Sequence, residues 1–437
     1  MSYYTGNITN TPSTIAVLPA PIYWWEAGAL WGSMIDYFHY TGDDSYNNVT
    51  IQALTSQVGP QFDYMMPNHV KDEGNDDQAF WGFATMSAAE KGFPEPSTYN
   101  TSIPYTWLQL TENLWNTQVR RWDTSACGGG LRWQIFAFNN GYTYKNSVSN
   151  GAFFQLSARL ARFTGNQTYL HWAEKTYDWS TNIGLVTSGY KVLDGADMGK
   201  NCSDFNGITW SYSHGIYLYG SAVLYNYTNG SSTWYTRTNS FLNAAGAFFS
   251  PYSNSTDIMF ENACEEIETC DNDQLSFKGY LSRFMWATTQ MAAFTKPAIT
   301  SVLSSSALAA VKTCTSGDDG AACGQRWYTG GFDGHPGIGQ QMSALEVVQG
   351  LLAAASVPPL HNSEVQIVVN QPTSRSIIRE TENPTNSLVG TGSSSARPEQ
   401  TSKDESNTAS GRYGTPWWME SVLATTLTAA LINCFLS

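Results

Sequence analysis

Residues 74–90 read GNDDQAFWGFATMSAAE, so two neighbouring aspartates follow a Gly-Asn turn and precede an apolar, Ala-rich run. Such a run favours a helix, and acidic residues suit its first turn because unpaired backbone N–H groups there stabilise an anion. We therefore predict that Asp76 and Asp77 lie at the N-terminus of a helix. A purely structural role, in which both acids only cap the helix, stays open.

The two acids also have the character of a catalytic carboxylate pair. The helix terminus should lower the pKa of one of them, and the neighbouring negative charge should raise the pKa of the other. Glycoside cleavage uses such a difference, since one carboxylate attacks the sugar and the other donates a proton to the leaving oxygen. Adjacent residues can reach the separation of roughly 5–5.5 Å found in retaining glycosidases. Phe80 and Trp81 offer aromatic faces nearby.

Helical patterns extend outward from this stretch, from Trp24 to about Val357. Three of them end alike, in YTGD at 40–43, FTGN at 163–166 and YTNG at 227–230. Gly at a helix end supplies a left-handed turn, so the shared ending indicates a repeated helical hairpin. Eleven helical segments are predicted, at 24–41, 44–58, 76–91, 104–122, 149–164, 167–183, 207–228, 232–249, 274–294, 298–313 and 338–355.

Two kinds of segment alternate along the chain. Those beginning at 24, 76, 149, 207, 274 and 338 are rich in Gly, Ala and large aromatic residues and should be inner helices, whereas the other five are amphipathic and should be outer ones. The fold prediction is therefore all-α, an (α/α)6 barrel whose ligands bind where the inner helices begin. A sixth outer helix would precede residue 10, with residues 3–6 as its tail. We therefore expect a truncated N-terminus without a visible signal peptide.

Composition limits the possible partners. The 437 residues carry a net charge of −14 and contain 16 Trp. No basic patch offsets the acidic balance, which argues against nucleic acid as a partner. Eight Asn-X-Ser/Thr sequons favour a secreted glycoprotein; they begin at Asn7, Asn48, Asn100, Asn166, Asn201, Asn226, Asn229 and Asn254.

Six of the seven cysteines precede the C-terminal tail, and they allow 15 pairings. Short spacing suggests Cys264 with Cys270 and Cys314 with Cys323, which leaves Cys127 for Cys202. Zinc binding is the competing interpretation, but the sequence has no CxxC pair to support it. We expect neither a metal nor a cofactor.

The C-terminal region differs from the rest of the chain. Residues 1–358 are predicted to form the barrel, and 359–411 form a Ser/Thr-rich stalk that is mostly disordered. Residues 412–437 end in an apolar tail without following charges, and small residues precede it at 407–411. This layout predicts a glycosylphosphatidylinositol attachment signal, with a buried C-terminal helix as the alternative.

Residues 74–82 resemble the paired-aspartate motif of glycoside hydrolase family 76, the endo-α-1,6-mannanases. Further matching motifs are YWWEAG at 23–28, CGGGLRWQ at 127–134, TWSYSHG at 209–215 and FKGY at 277–280. The resemblance extends over roughly residues 3–355, and the family's membrane-anchored fungal cell-wall branch is the most similar. It implies an (α/α)6 barrel, with Asp76 as nucleophile and Asp77 as general acid/base.

The predicted location of the protein is the secretory pathway, with a glycosylphosphatidylinositol anchor holding it at the outer face of the plasma membrane and in the cell wall. In the reaction that the resemblance implies, the donor would be α-linked mannose of the anchor core glycan, and β-glucan would accept the transferred glycoprotein. Two alternatives stay open: hydrolysis of α-1,6-mannan by the same residues, and a non-catalytic carbohydrate-binding wall protein.

Further residues are predicted to contact sugar. Aromatic rings offer stacking faces and polar groups offer hydrogen bonds, and a buried lysine needs a carboxylate or a ligand as partner. The predicted substrate-binding residues are Trp25, Asn75, Gln78, Trp81, Trp133, Asp197, Tyr212, His214 and Lys278. Residues 261–273 form an acidic loop that lacks the spacing of a calcium site, so we interpret it as solvated and pinned by a disulfide.

Overall fold

The computed structural model describes residues 3–71 and 73–362. Its thirteen α-helices in this part of the chain are α1 (Gly6–Thr9), α2 (Trp24–Thr41), α3 (Asn47–Ser56), α4 (Asn75–Glu90), α5 (Pro96–Tyr99), α6 (Trp107–Arg120), α7 (Ser147–Thr164), α8 (Gln167–Ile183), α9 (Ser211–Tyr227), α10 (Ser232–Ala244), α11 (Gln274–Met291), α12 (Lys296–Thr313) and α13 (Ile338–Gln349). Short 3-10 turns extend α10 at Ala245–Phe248 and α13 at Gly350–Ala355.

Six of these helices form a closed inner ring, in the order α2, α4, α7, α9, α11 and α13, with α13 packed against α2. Five outer helices, α3, α6, α8, α10 and α12, pack against the outside of this ring. The (α/α)6 barrel predicted from the sequence is therefore confirmed. A sixth outer helix is not among the described residues; α1 has a single turn in the region where the tail of one was predicted.

Burial separates the two sets of helices as the sequence pattern predicts. Every residue of α7 from 147 to 163 is buried, whereas α6 buries one face, which includes Leu110 and Leu114. A helix that is apolar on most sides is stable only when neighbours surround it, and an amphipathic helix needs one neighbour. The inner helices therefore form the core, and the outer helices shield it from water.

Local sequence sets where these helices begin and end. Thr106 and Gln109 form a reciprocal capping box at the start of α6. Helices α2 and α7 end at Gly42 and Gly165, whose φ angles of 73° and 74° lie in the left-handed region. The repeated YTGD and FTGN endings thus have the same structural role, which is to stop an inner helix and start a turn.

A small antiparallel sheet lies beside the inner ring, formed by β1 (Tyr144–Asn146), β2 (Gly195–Asp197) and β3 (Phe205–Asn206). Side chains alternate along a strand, so Tyr144 and Asn146 share one face and Lys145 takes the other. The ammonium of Lys145 donates hydrogen bonds to the carbonyls of Asp123, Ala126 and Gly129, at 2.6–2.9 Å. This anchor fixes β1 where it enters α7. The sequence analysis did not predict the sheet.

Three disulfides connect the loops, Cys127–Cys202, Cys264–Cys270 and Cys314–Cys323, which confirms the predicted pairing. The predicted stalk from residue 363 onward and the predicted attachment signal lie outside the described residues. Within the described part, no helix is both long enough and apolar enough to span a bilayer.

Candidate active site

A cavity of about 380 Å³ opens at the end of the barrel where the inner helices begin. Its walls come from the first turns of α2, α4, α9 and α11, from β1, and from the loops beside them. The lining residues are Tyr23, Trp24, Trp25, Asp76, Asp77, Phe80, Trp133, Gln134, Tyr144, Asn146, Asp194, Tyr212, Asp273 and Phe277. Five of the predicted site residues therefore line one cavity, namely Trp25, Asp76, Asp77, Trp133 and Tyr212, and Phe80, whose ring was predicted to lie nearby, lines it with them.

Asp76 lies in the first turn of α4 and is largely buried, with 8% of its surface exposed. Its Oδ2 accepts a hydrogen bond from Asn146 Nδ2 at 2.8 Å, and its Oδ1 accepts one from the Asp77 N–H at 3.0 Å. Burial raises the pKa of Asp76 to about 6, and these hydrogen bonds to the carboxylate act against that rise. Asn146 was missed by the sequence analysis, since it looks like an ordinary N-cap residue of α7.

Asp77 is the half-buried partner of Asp76. Its Oδ2 accepts a hydrogen bond from the Gly74 N–H at 2.6 Å, which closes the capping box of α4. Burial and then the charge of Asp76 raise the pKa of Asp77 well above its ordinary value. The expectation that one acid of the pair would have a lowered pKa is wrong, because desolvation outweighs the helix terminus at both. The difference between them remains, and it favours an ionised Asp76 beside a protonated Asp77.

Gly74 holds the two carboxyl groups together. A Cβ at this position would lie 2.3 Å from Asp76 Oδ1 and 2.6 Å from Asp77 Oδ2, so any other residue would displace both groups. The same two distances place these two oxygens no more than about 5 Å apart, below the roughly 6.5–9.5 Å between the carboxyl groups of inverting glycosidases. This close approach suits a carboxylate that attacks the sugar directly.

The charge of the cavity is one-sided. Four aspartates line it, and none of its lining residues within the described chain is Lys, Arg or His. Asp273, at the start of α11, accepts a hydrogen bond from Trp25 Nε1 at 2.9 Å, and burial raises its pKa to about 6. Asp194 accepts hydrogen bonds from Tyr144 Oη at 2.6 Å and from Trp210 Nε1 at 2.9 Å. The sequence analysis assigned neither acid to the site.

Aromatic rings form the rest of the wall. Tyr212 and Phe277 stack in parallel, with ring centroids 3.8 Å apart and an interplanar angle of 10°. Trp25 packs against Phe80 at 4.6 Å, and its indole N–H is held by the hydrogen bond to Asp273 described above. Trp133 lies at the rim with 37% of its surface exposed. Flat apolar faces beside carboxylates are typical of sugar-binding sites, because a sugar ring has apolar C–H faces and polar edges.

Comparison with known proteins identifies the family of the chain. Residues 1–363 match the family described as "Glycosyl hydrolase family 76". The chain belongs to this family. It is 48% identical over 350 residues to the mannan endo-1,6-alpha-mannosidase DCW1 of Saccharomyces cerevisiae, which covers 80% of this chain and 75% of the relative. The DFG5 mannosidase of the same yeast is 43% identical over 354 residues, with 80% and 75% covered.

Two solved structures extend the comparison of this family 76 chain. The crystal structure of Dfg5 from Chaetomium thermophilum, in complex with glucosamine, has a TM-score of 0.78 at 41% identity and covers 83% of this chain and 90% of that one. The α-1,6-mannanase GH76A of Salegentibacter sp. HEL1_6 has a TM-score of 0.62 at 16% identity, with 80% and 96% covered. The second likeness concerns the fold alone.

Three of the predicted site residues lie behind the aspartate pair in this family 76 enzyme. Asn75 donates to the Arg132 carbonyl and accepts from Arg121 Nε at 2.8 Å. Gln78 is fully buried and accepts a hydrogen bond from the Arg121 guanidinium, and Trp81 is fully buried between Trp24 and Tyr64. The prediction that they contact sugar is corrected: they hold the first turn of α4 in place.

Three more predicted residues do not reach the cavity. Asp197 is exposed and caps a 3-10 turn by accepting from the Gly199 N–H. His214 bonds the Phe241 carbonyl at 2.7 Å, on the side of α9 that faces the outer layer. Lys278 is buried and donates to Glu265 at 2.7 Å and to the Gln325 carbonyl. Each has a protein partner because its position on the helix or turn directs it away from the barrel axis.

The acidic loop at 261–273 also differs from its interpretation as solvated. Glu261 is fully buried and accepts hydrogen bonds from the backbone and hydroxyl of Ser211 at the start of α9. Glu265 is the buried partner of Lys278, and Asp273 lines the cavity. The loop therefore joins α9, α11 and the site. Among the described residues, no group of three or more His, Cys, Asp or Glu is arranged to hold a metal ion.

Proposed function

We propose that the chain is a retaining glycosidase for α-linked mannosides, with Asp76 as nucleophile and Asp77 as general acid/base. The observation that carries the proposal is the pair of the buried Asp76 and the half-buried Asp77, whose oxygens approach closely and whose pKa values are both raised but unequal. The choice of mannose rests on the yeast relatives, both described as mannan endo-1,6-alpha-mannosidases. Two carboxylates with different proton affinities are what the double-displacement reaction requires.

In the first half of the reaction, a carboxylate oxygen of Asp76 forms a bond to the anomeric carbon as the bond to the leaving oxygen breaks. Asp77 gives its proton to that oxygen. Asn146 and the Asp77 N–H each donate to Asp76, which keeps it ionised and aimed despite its burial. As the ester forms, the negative charge beside Asp77 disappears. The pKa of Asp77 therefore falls, which suits its next role as a base.

In the second half, an acceptor hydroxyl gives its proton to Asp77 and displaces Asp76 from the anomeric carbon. We propose that this acceptor is a hydroxyl of wall β-glucan and that the donor is the core glycan of a glycosylphosphatidylinositol anchor. The Chaetomium relative was solved with glucosamine, an amino sugar, and a cavity whose charged lining residues, among those described, are all aspartates suits a protonated amine. Anchored glycoproteins would thereby be transferred to the wall.

Plain hydrolysis of α-1,6-mannan is the second candidate, and the descriptions of the yeast relatives favour it. It uses the same residues, with water in place of the acceptor sugar. We also propose that the enzyme works at the outer face of the plasma membrane and in the cell wall, held by an anchor added near residues 407–411. This location rests on the sequence pattern of the tail and on the eight sequons.

The test is a product analysis by mass spectrometry. The protein is incubated with α-1,6-mannotetraose or an anchor-core glycan, with and without a β-1,3-glucan oligosaccharide. Acceptor-bearing products establish transfer, and free mannose oligomers alone establish the hydrolase. Asp76→Ala and Asp77→Asn should abolish either outcome, while Asp178→Asn, at an exposed surface position, should not. Turnover that survives in Asp77→Asn, or no turnover with any donor, contradicts the proposal and favours a binding protein.

A further inference from the structure

A second cavity of about 450 Å³ lies next to the first and shares none of its lining residues. Its walls come from residues between 60 and 70, from Glu73, from the end of α6 and from Phe136. Residues of a short backbone pairing contribute to both cavities; in this pairing the Asn75 N–H donates to the Trp133 carbonyl and the Ile135 N–H to the Glu73 carbonyl. The proposed reaction gives this second space no role.

The charges around the second cavity balance. Asp63 and Glu73 supply carboxylates, and Arg120 and Arg121 supply guanidinium groups. A site for a phosphate or a carboxylate would carry excess positive charge, and a site for a cation would carry excess negative charge. Donors and acceptors placed side by side with no net charge suit a ligand that offers both, as the hydroxyl groups of a neutral sugar do.

The apolar part of the second cavity's wall is formed by aromatic rings and prolines. Phe136 lines the cavity, and its ring stacks on that of Phe138 with centroids 5.4 Å apart at an angle of 14°. Phe138 is 67% exposed, so the aromatic surface continues outward from the cavity to solvent. Pro60 and Pro67 complete the apolar wall. The half-buried Phe136 and the exposed Phe138, beside hydrogen-bonding groups, give a sugar ring a face to stack on.

The second cavity is also tied to the catalytic turn. Arg121 donates through Nε to Asn75 at 2.8 Å and through its terminal nitrogen to Gln78, the residues on either side of the aspartate pair. Trp133 and Gln134 line the first cavity, and Phe136 lines the second. A glycan bound in one cavity therefore contacts the same short segment, residues 133–136, that also lines the other cavity.

We propose that the second cavity is a binding site for a neutral oligosaccharide, separate from the catalytic cavity. It holds a further stretch of a hexose polymer while the catalytic cavity holds the reacting residues. Binding there does not require the proposed reaction, so the site is testable in a protein that cannot turn over.

The experiment uses the full chain with Asp76→Asn and Asp77→Asn, titrated calorimetrically with laminarihexaose and, separately, with α-1,6-mannotetraose. We expect at least one of these glycans to bind, and its affinity should be retained in Trp133→Ala. In the double variant Phe136→Ala with Arg120→Ala, the affinity should fall about tenfold or more. Tyr99→Ala removes a comparably exposed aromatic residue that lines neither cavity, and it should change nothing.

Each result decides the question. If neither glycan binds, or if all binding is lost in Trp133→Ala and unaffected by Phe136→Ala with Arg120→Ala, the proposal is overturned. The same holds if a sulfated oligosaccharide binds at Phe136 more tightly than either neutral one. Thermal unfolding of each variant establishes that it is folded. If the wild-type protein turns over none of the donors in the product analysis, the proposed reaction is overturned, but the proposed binding site is not.

Discussion

The acids that line the cavity differ in their partners from the buried acids at the opposite end of the inner ring. Toward the C-terminal ends of the inner helices, buried carboxylates meet cations: Glu90 lies 2.6 Å from Arg159, Asp36 2.5 Å from Lys91, and Glu346 2.6 Å from Arg283. At the other end, Asp76, Asp77, Asp194 and Asp273 line a cavity to which no cationic side chain among the described residues contributes. The same residue types therefore serve two purposes in one barrel.

Their pKa values reflect this difference. Burial by itself would raise the pKa of Asp36, but Lys91 and Arg283 outweigh it and the pKa falls. At the cavity, burial raises the pKa of Asp76, Asp77 and Asp273 with no cation to oppose it. Glu346 shares Arg283 with Asp36, and burial keeps its pKa raised. Losing its cation would leave each paired acid as an uncompensated buried charge, whereas the acids without a cation keep a proton affinity suited to chemistry near neutral pH.

The largest effect should follow from removing the charge of an unpaired acid. Asp76→Asn keeps the shape of the side chain but cannot form a glycosyl ester, so turnover should fall by about 10³-fold or more. Because burial disfavours the charged form of Asp76, the free energy of unfolding at pH 7 should not decrease. Initial rates and urea unfolding measure the two quantities. If Asp76→Asn lost both stability and activity, it would contradict the claim that the acids of the cavity serve catalysis and not stability.

Breaking a pair at the other end should have the reverse outcome. Arg283→Met leaves Glu346 and Asp36 without their shared cation, and about 3–5 kcal/mol of unfolding free energy should be lost. Rates per folded molecule at low temperature should stay near those of the parent. Lys200→Met, which breaks an exposed pair with Asp204, is the control and should unfold like the parent. A large loss of turnover in folded Arg283→Met would show that this end takes part in catalysis.

Gly74→Ala tests the geometry of the pair without changing its charges. The new Cβ would collide with both carboxyl groups, at 2.3 and 2.6 Å, so the groups must separate and turnover should fall by about 10²-fold. Gly246→Ala is the control, since a Cβ there meets no atom within 4 Å. If Gly74→Ala were as active as the control, the close approach of the two acids would be unnecessary.

The smallest effect concerns the buried Glu26. Its carboxylate accepts hydrogen bonds from the Tyr23 N–H and from Asn272 Nδ2. Burial raises its pKa from 4.5 to about 8. Its contribution to stability is therefore fully present below pH 4.5 and is lost as the pH rises to 8. Glu26→Gln cannot titrate, so it should gain about 1 kcal/mol or more over the parent between these limits, by urea unfolding. Glu174→Gln, at an exposed position, should follow the parent, and a constant gap for Glu26→Gln would contradict a raised pKa.

The sequence predicts the barrel and the aspartate pair because both depend on local patterns. Periodic burial and glycine caps reveal helices, and two acids at a helix start are visible within a few residues. Asp194, Asp273 and Asn146 were missed because their partners are distant: Trp25 bonds Asp273 across 248 residues, and Asp76 bonds Asn146 across 70. Only the closed ring brings these segments together.

The wrong assignment of other residues to the cavity has a different cause. His214 and Lys278 are polar residues on inner helices, and the sequence shows this correctly. The direction in which each points depends on the rotation of its helix in the ring, which no local pattern specifies. Lys278 was predicted to need a carboxylate partner, and that partner is Glu265. Glu265 belongs to the acidic loop that was predicted to be solvated.

The most direct test of the contrast is to trap the sugar on the enzyme. The protein is treated with a slowly turned-over fluorinated α-mannosyl fluoride, digested and mapped by tandem mass spectrometry. The account predicts one glycosyl unit esterified to Asp76, absent in Asp76→Asn and unchanged in Lys200→Met. No adduct with an enzyme that turns over mannosides, or an adduct on Asp77, Asp194 or Asp273, would contradict it.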